Sequence, residues 1–331
     1  MTLQISVYDH SMEQIIRVSD DFASNYYPLK MSDGINWSGV KGCWKAELPL
    51  AEVPSEHIIV PSFSMIDADY SFSFEIQTPS GKCRLSNIPE LKGEMKPGNF
   101  SKHLTPHIDC WHTSQYMREA KLVTQVFTEK EPRNFLLVCS VRPVSKNVES
   151  RLPNWRGALP NVVPISQMLA EEKIRHRICS PSALTMALCK IKGFADIEAN
   201  ELWKRMINLC YDQNIKAYGS WPKAMYAAST FGVLGGIEAH TDLESAEKCL
   251  ELGQPVVCSI DFERGKLKGA PLESTKGHLV TLIGIEEKQI LVMDPSAPEK
   301  RLIAKAYDRK EFENAWLQNR GAGYYFCSTS E

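Results

Sequence analysis

The hydrophobic pattern of the chain changes character near its middle. In the first part, apolar residues come in short runs rich in β-branched and aromatic types: HIIVPSF (57–63), YSFSFEIQT (70–78), KLVTQVFT (121–128) and FLLVCSVRP (135–143). Turn formers in PSGK, KGEMKPGN and EKEPRN separate them. Alternation in SFSFEIQ places Phe72, Phe74 and Ile76 on one face of a strand. Residues 1–145 are therefore expected to form an all-β sandwich, and residues 146–161, polar with two prolines, a linker.

From residue 162 the period lengthens. CSPSALTMALCKIKG places Leu184, Leu188 and Ile191 on one helical stripe and stops at Gly193. NELWKRMINLCYD predicts a second helix, and WPKAMYAASTFG a third with Pro222 at its start. DLESAEKCLELG predicts a fourth, capped by Asp242 and closed by Gly253. Strands follow at PVVCSIDF, GHLVTLIGI and QILVMDP, then a helix at DRKEFENAWLQN and a closing strand at YYFCST. Helices first and antiparallel strands afterwards make residues 162–331 an α+β unit.

Composition narrows the function classes. A net charge of −2, with no long basic run, gives no electrostatic reason to expect nucleic acid or an anionic membrane as partner. No stretch approaches the ~20 apolar residues of a membrane span. The N-terminus lacks a basic-then-apolar secretory pattern, so a cytoplasmic protein is expected. The 10 cysteines are scattered without a Cys-x-x-Cys pair, which reads as reduced, mostly buried thiols.

One of those cysteines has a special position. Cys179 opens the first helix, where free N–H groups and the positive end of the helix dipole favour a thiolate, and Arg175, His176 and Arg177 precede it. His278 opens one strand and Asp294 closes the next. A hairpin turning at Glu286–Lys288 sets the two opposite or next to each other. A histidine oriented by a carboxylate and aimed at a thiol is the arrangement of nucleophilic acyl transfer. Gln167, upstream, is a candidate donor to an oxyanion together with the backbone N–H of Cys179. Each residue also has a plainer reading: one of ten packed thiols, a hydrogen-bonded strand-end histidine, a turn former before Pro295, a surface glutamine.

Several segments taken in order resemble a known family. VPISQM…ICSPSALTMAL, AYGSWPKAMYAASTFG, QPVVCSIDF…GAPLESTKGHLVTLIGI…ILVMDPSAP and YDRKEFENAWL look like a bacterial family of papain-like cysteine peptidases related to those that cut double-glycine leaders from bacteriocins. The resemblance covers about residues 160 to 328. It implies a helical lobe plus antiparallel sheet, with Cys179 as nucleophile, His278 as general base and acid, Asp294 as orienting carboxylate and Gln167 as oxyanion donor. It also implies a β-sandwich ahead of the peptidase unit, acting as an accessory or substrate-recruiting domain. The bacteriocin peptidases usually have Gly after the cysteine, whereas the branch that this chain resembles has Ser. Here Ser180 follows, and with Trp221 it is a candidate for the substrate cleft.

The expected activity is hydrolysis of peptide or isopeptide amides, with a peptide or protein substrate and no cofactor. The same residues would serve acyl transfer to an amine, and an inert binding module is the third option. In HLTPHIDC, the residues His103, His107, Asp109 and Cys110, with His112 close by, are ligand types found in zinc sites. Pro106 interrupts any helix that would align them, so a loop and no metal are expected. GVLGG lacks the Lys-Ser/Thr of a phosphate loop and reads as a turn into a strand, and Glu171–Glu172 as a solvated face.

Overall fold

The computed structural model of the chain describes residues 13–20, 26–32, 34–40, 42–90 and 102–327. The KGEMKPGN turn, the first residues of the chain and the end of YYFCST lie outside them. Among the described residues, ten strands precede the first helix-rich segment: β1 (Gln14–Ser19), β2 (Ser38–Val40), β3 (Cys43–Pro49), β4 (His57–Met65), β5 (Ser71–Thr78), β6 (Gly81–Arg84), β7 (Leu104–Pro106), β8 (Trp111–Thr113), β9 (Lys121–Phe127) and β10 (Phe135–Pro143). They form two antiparallel sheets, ordered β1-β10-β4-β8-β7 and β2-β3-β9-β5-β6. Phe72, Phe74 and Ile76 of β5 meet Phe63 of β4 and Leu137, Cys139 and Val141 of β10 in one apolar cluster between the sheets. The period-2 pattern of the sequence is the cause, because every second side chain of each strand enters this layer.

The first sheet is covered on its other face too. Every residue of β4 is buried, as are all but the last of β10. Ile58 and Val60 of β4 and Leu136 and Val138 of β10 turn away from this layer and pack into the cores of the second half. That explains why HIIVPSF and FLLVCSV read as near-continuous apolar runs rather than as alternating ones.

The second half contributes β11 (Gly157–Ala158), α1 (Cys179–Lys192), α2 (Asp196–Cys210), α3 (Trp221–Ser229), β12 (Gly235–Ala239), α4 (Glu244–Glu251), β13 (Val256–Phe262), β14 (Thr275–Ile285), β15 (Gln289–Met293), β16 (Ala304–Asp308), α5 (Arg309–Glu313) and β17 (Ala322–Phe326). Its sheet runs β12-β17-β13-β14-β15-β16, with β11 paired to β14. Helix α1 ends where Gly193 adopts the left-handed conformation, φ 68°. The 146–161 segment is held along its length: Lys146 N donates to Gln318 O (3.0 Å), Asn154 N to Glu247 (3.0 Å) and Leu159 N to Ile283 O (2.7 Å).

Strand β12 shows how the halves are joined. One side pairs with β17, so the other would leave backbone groups unpaired against an apolar sheet. Serines of the first sheet meet them: Ser64 Oγ with Gly235 N (3.0 Å) and O (2.8 Å), Ser62 Oγ with Ile237 N (2.7 Å), and Ser140 Oγ with Ala239 N (3.1 Å). The approach is so close that a Cβ on Gly236 would lie 2.5 Å from Val138. A buried charge lies at the same seam. Glu238 receives Arg17 through two 2.6 Å bonds, Tyr27 Oη at 2.6 Å and His240 Nε2 at 2.7 Å. Burial alone would push its carboxyl up. The Arg17 and His240 bonds outweigh that and hold it at about 2.

The β14–β15 hairpin departs from the expected register. Ile285 pairs with Ile290 and Thr281 with Met293, and a bulge lies between Leu282 and Gly284. The turn closes by Glu286 N donating to Gln289 O (2.8 Å). The expected register, turning at Glu286–Lys288, ignores the bulge, which inserts an extra residue in β14. Asp294 therefore lies past the end of β15, where its backbone N–H donates to Ile303 O (2.8 Å).

Candidate active site

Helix α1 starts at Cys179 because Ile178, at φ −115° and ψ 27°, is not helical, and Pro181 occupies the first turn, where no N–H is needed. Thr281 of β14 donates its hydroxyl to Ala183 O (2.9 Å). The strand carrying His278 is thus pinned to the first turns of the helix carrying Cys179. The backbone N–H groups of Ser180 and Leu279 and the side chain of His278 lie near enough to the Cys179 sulfur to favour its charged form.

His278 is buried and gives Nε2 to Asp294 Oδ1 at 2.8 Å, leaving the other ring nitrogen for the sulfur. Asp294 is fixed by donors on both oxygens. Oδ1 also accepts Ser296 N (3.0 Å) and Ser296 Oγ (2.6 Å), and Oδ2 accepts Tyr307 Oη (2.7 Å). The Ser296 contacts form a local turn that a D-P-S sequence is built to make. Tyr307 comes from β16, and no local signal announces it.

Burial would disfavour every charge here, yet the partners outweigh it. His278 is driven up to about 10, since the desolvation that lowers it is overcome by Asp294 and the thiol. Asp294 is held at about 2 against burial by His278, Ser296 and Tyr307. The Cys179 thiol falls below its ordinary value: burial raises it, and His278 and the two N–H groups lower it by more. The arrangement favours a thiolate beside an imidazolium. The arginines ahead of Cys179 do not supply this effect. Arg175 faces Glu172 at 3.4 Å on the surface, and Arg177 lies over the Tyr218 ring with a bond to Lys216 O.

Gln167 sits in a short turn tied to the Asp294 loop, with Gln167 N donating to Pro295 O (2.8 Å) and Ser166 Oγ to Ala297 O (2.5 Å). The Gln167 side chain is buried. Its Nε2 donates to Arg175 O at 2.7 Å, which leaves the second amide hydrogen, while Oε1 has no hydrogen-bond partner among the described residues. Ser180 does not face a cleft. It is fully buried, with Oγ 3.0 Å from Tyr324 Oη, because the second position of the helix turns towards the sheet.

A groove of about 610 Å³ opens beside Cys179. Tyr218, Gly219 and Trp221 line one side, and Ser259, Gly277 and Leu279 of the sheet another. The third wall is unexpected: His107, Ile108, Asp109, Cys110 and His112, from the β7–β8 hairpin of the first half. Asp109 Oδ2 accepts Trp221 N at 3.3 Å, locking the hairpin to α3. The HLTPHIDC segment thus lies at the groove as a wall. The His107 and His112 rings lie 4.0 Å apart, and among the described residues no group of three or more His, Cys, Asp or Glu is placed to hold a metal ion. No described helix is long and apolar enough to cross a membrane.

Comparison with known proteins finds a family match in the second half. The model of the Peptidase_C39 like family matches residues 159–324. Among solved structures, one described as a C39-like peptidase from Bacillus anthracis is 18% identical, with 54% of this chain and 100% of that chain covered and a TM-score of 0.40. A double glycine motif protease from an AMS/PCAT transporter, solved in complex with the leader peptide, is also 18% identical over 54% and 100% of the two chains, with a TM-score of 0.35. No curated protein matches the chain.

Proposed function

The chain belongs to the Peptidase_C39 like family, and on that premise we propose that it is a cysteine peptidase that cleaves a peptide or isopeptide amide through a thioester on Cys179. The observation that carries this reading is the relay from Asp294 Oδ1 through His278, 2.8 Å away, to a sulfur at the start of a helix. The thiolate attacks the scissile carbonyl carbon, forming the C–S bond. As the C–N bond breaks, the imidazolium gives its proton to the leaving amine. His278 then takes a proton from water, which attacks the thioester and releases the acid, restoring thiolate and imidazolium. The oxyanion is met by backbone N–H groups at the helix start and by the unused amide hydrogen of Gln167.

In the same reading, residues 162–331 form the peptidase unit and residues 1–145 an accessory sandwich, joined by residues 146–161. The accessory unit acts at the cleft itself, since the β7–β8 hairpin walls the groove.

The pH dependence tests the reading. Alkylation by iodoacetamide follows the thiolate, so the Cys179 rate should rise through a midpoint below that of an ordinary thiol and then level off. Hydrolysis also needs the imidazolium proton, so it should rise with the same limb and fall as the pH passes His278, near 10. Because the groups are coupled, both midpoints belong to the pair. In His278→Ala the burial that raises the thiol is less opposed, and the alkylation midpoint should move up. A midpoint unmoved by that substitution would remove the basis of the proposal.

A further inference from the structure

The groove beside Cys179 holds a cation that the proposed hydrolysis does not employ. Arg320 precedes β17 with φ 59°, a left-handed conformation uncommon outside glycine. Its neighbours enforce this. Arg320 N donates to Val144 O at 3.1 Å, and a Cβ on the next residue, Gly321, would fall 1.9 Å from His240 O. The backbone thus directs the side chain into the groove, where the guanidinium lies 5.7 Å from the centre of the Trp221 ring and donates Nη2 to Lys276 O at 2.9 Å.

That bond uses one of the five N–H donors of a guanidinium, and among the described residues the Arg320 side chain makes no other hydrogen bond and no ion pair. Of the groove's carboxylates, Asp109 accepts Trp221 N and feels the Arg320 charge without forming an ion pair with it, and Asp261 meets Lys276 Nζ at 3.7 Å. Nη2 also lies 3.9 Å from where a Cβ on Gly277 would be, one residue before His278. A pre-oriented fork of donors therefore lines the same groove as Cys179, and among the described residues no carboxylate forms an ion pair with it. Such a fork matches a carboxylate.

We infer that Arg320 anchors a carboxylate of the substrate, either an acidic side chain beside the bond cleaved or a free C-terminus, and so sets which substrates the groove accepts. This rests on Cys179 being the nucleophile, and the test separates the two claims. Wild-type protein is alkylated with iodoacetate, which carries a carboxylate, and with neutral iodoacetamide, and the Cys179 rates are compared by peptide mapping. In Arg320→Gln the iodoacetate-to-iodoacetamide ratio should fall about tenfold, the loss of one charge-assisted contact, with the iodoacetamide rate little changed. Arg320→Lys, which keeps the charge but not the fork, should retain part of the preference. Arg264→Gln, an exposed cation paired with Glu273, should leave the ratio unchanged.

A second arm uses wild-type protein only. Protection of Cys179 from iodoacetamide by N-acetylisoglutamine assigns a side-chain carboxylate, and protection by N-acetylglutamine a terminal one. Protection by both no better than by the uncharged diamide overturns the inference. So does fast alkylation of Cys179 with a ratio that Arg320→Gln leaves intact. If wild-type Cys179 reacts no faster than the other cysteines, the nucleophile assignment fails first and takes the anchor with it.

Discussion

Cys179→Ala is expected to abolish cleavage of a fluorogenic peptide pool, with a loss in kcat on the order of 10⁶. The size follows from the absence of a substitute. Of the remaining thiols, burial pushes Cys139, Cys189 and Cys210 up to about 12 each, and Cys83, Cys110, Cys249, Cys258 and Cys327 are raised as well. Such thiols are neutral at ordinary pH and poor nucleophiles. Cys179→Ser should be nearly as inactive, because a hydroxyl cannot form the ion pair with His278 that a thiol does. Neither change should unfold the protein. The side chain is half-buried, and α1 is held by Thr281 and its own apolar face. Urea midpoints should therefore stay close to wild type while turnover disappears. Residual cleavage at wild-type rates would show that another group performs the chemistry.

The second large effect is expected for Asp294→Asn, about 10⁴ in kcat. Volume is unchanged, so the cause is electrical. Every partner of the Asp294 carboxylate is a donor: His278 Nε2, Ser296 N, Ser296 Oγ and Tyr307 Oη. An amide has one oxygen for these four, and its own two hydrogens would face donors. If the oxygen serves the histidine and Ser296, the NH₂ meets Tyr307 Oη, which must turn its hydrogen away. If it serves Tyr307, the NH₂ faces His278 and forces the wrong tautomer. In both cases the negative charge that raises His278 is gone, so the imidazolium loses its support and the thiol midpoint should rise with it. Stopped-flow alkylation across pH reads the thiol directly, and a fluorogenic assay reads turnover. Tyr307→Phe should fall between wild type and Asp294→Asn, since it removes one donor and leaves the charge.

Much of this was legible in the chain because it is local. Helix α1 declares itself by its apolar stripe and Gly193, and His278 sits on one strand and Asp294 just past the end of the next, the two strands joined by one tight turn. The residue that fixes Asp294 from nearby, Ser296, lies within the same turn. What the sequence did not disclose is held by distant contacts. The bulge at Ile283 shifts the hairpin register, and the glycine beside it, Gly284, is equally explained by the close approach of Gly157 O, 2.6 Å from where its Cβ would be. Tyr307 reaches Asp294 from another strand. The β7–β8 hairpin borders the groove because the first sheet packs both faces, and its HLTPHIDC sequence gave only ambiguous ligand chemistry. Arg320 is selected by a left-handed backbone that a single sequence cannot reveal. The unbroken apolar runs of β4 and β10 did carry a signal of two-sided burial, and it is readable once alternation is seen to fail there.

The thiolate itself can be observed without any substrate. Ultraviolet difference titration of wild-type protein against Cys179→Ala isolates the absorbance of one thiolate. The expected difference curve shows thiolate forming at a lower pH than an ordinary cysteine, with its midpoint moved up in the Asp294→Asn background. A difference curve that rises only in the alkaline range of an ordinary or buried cysteine would contradict the ion pair between Cys179 and His278 on which the proposed chemistry stands.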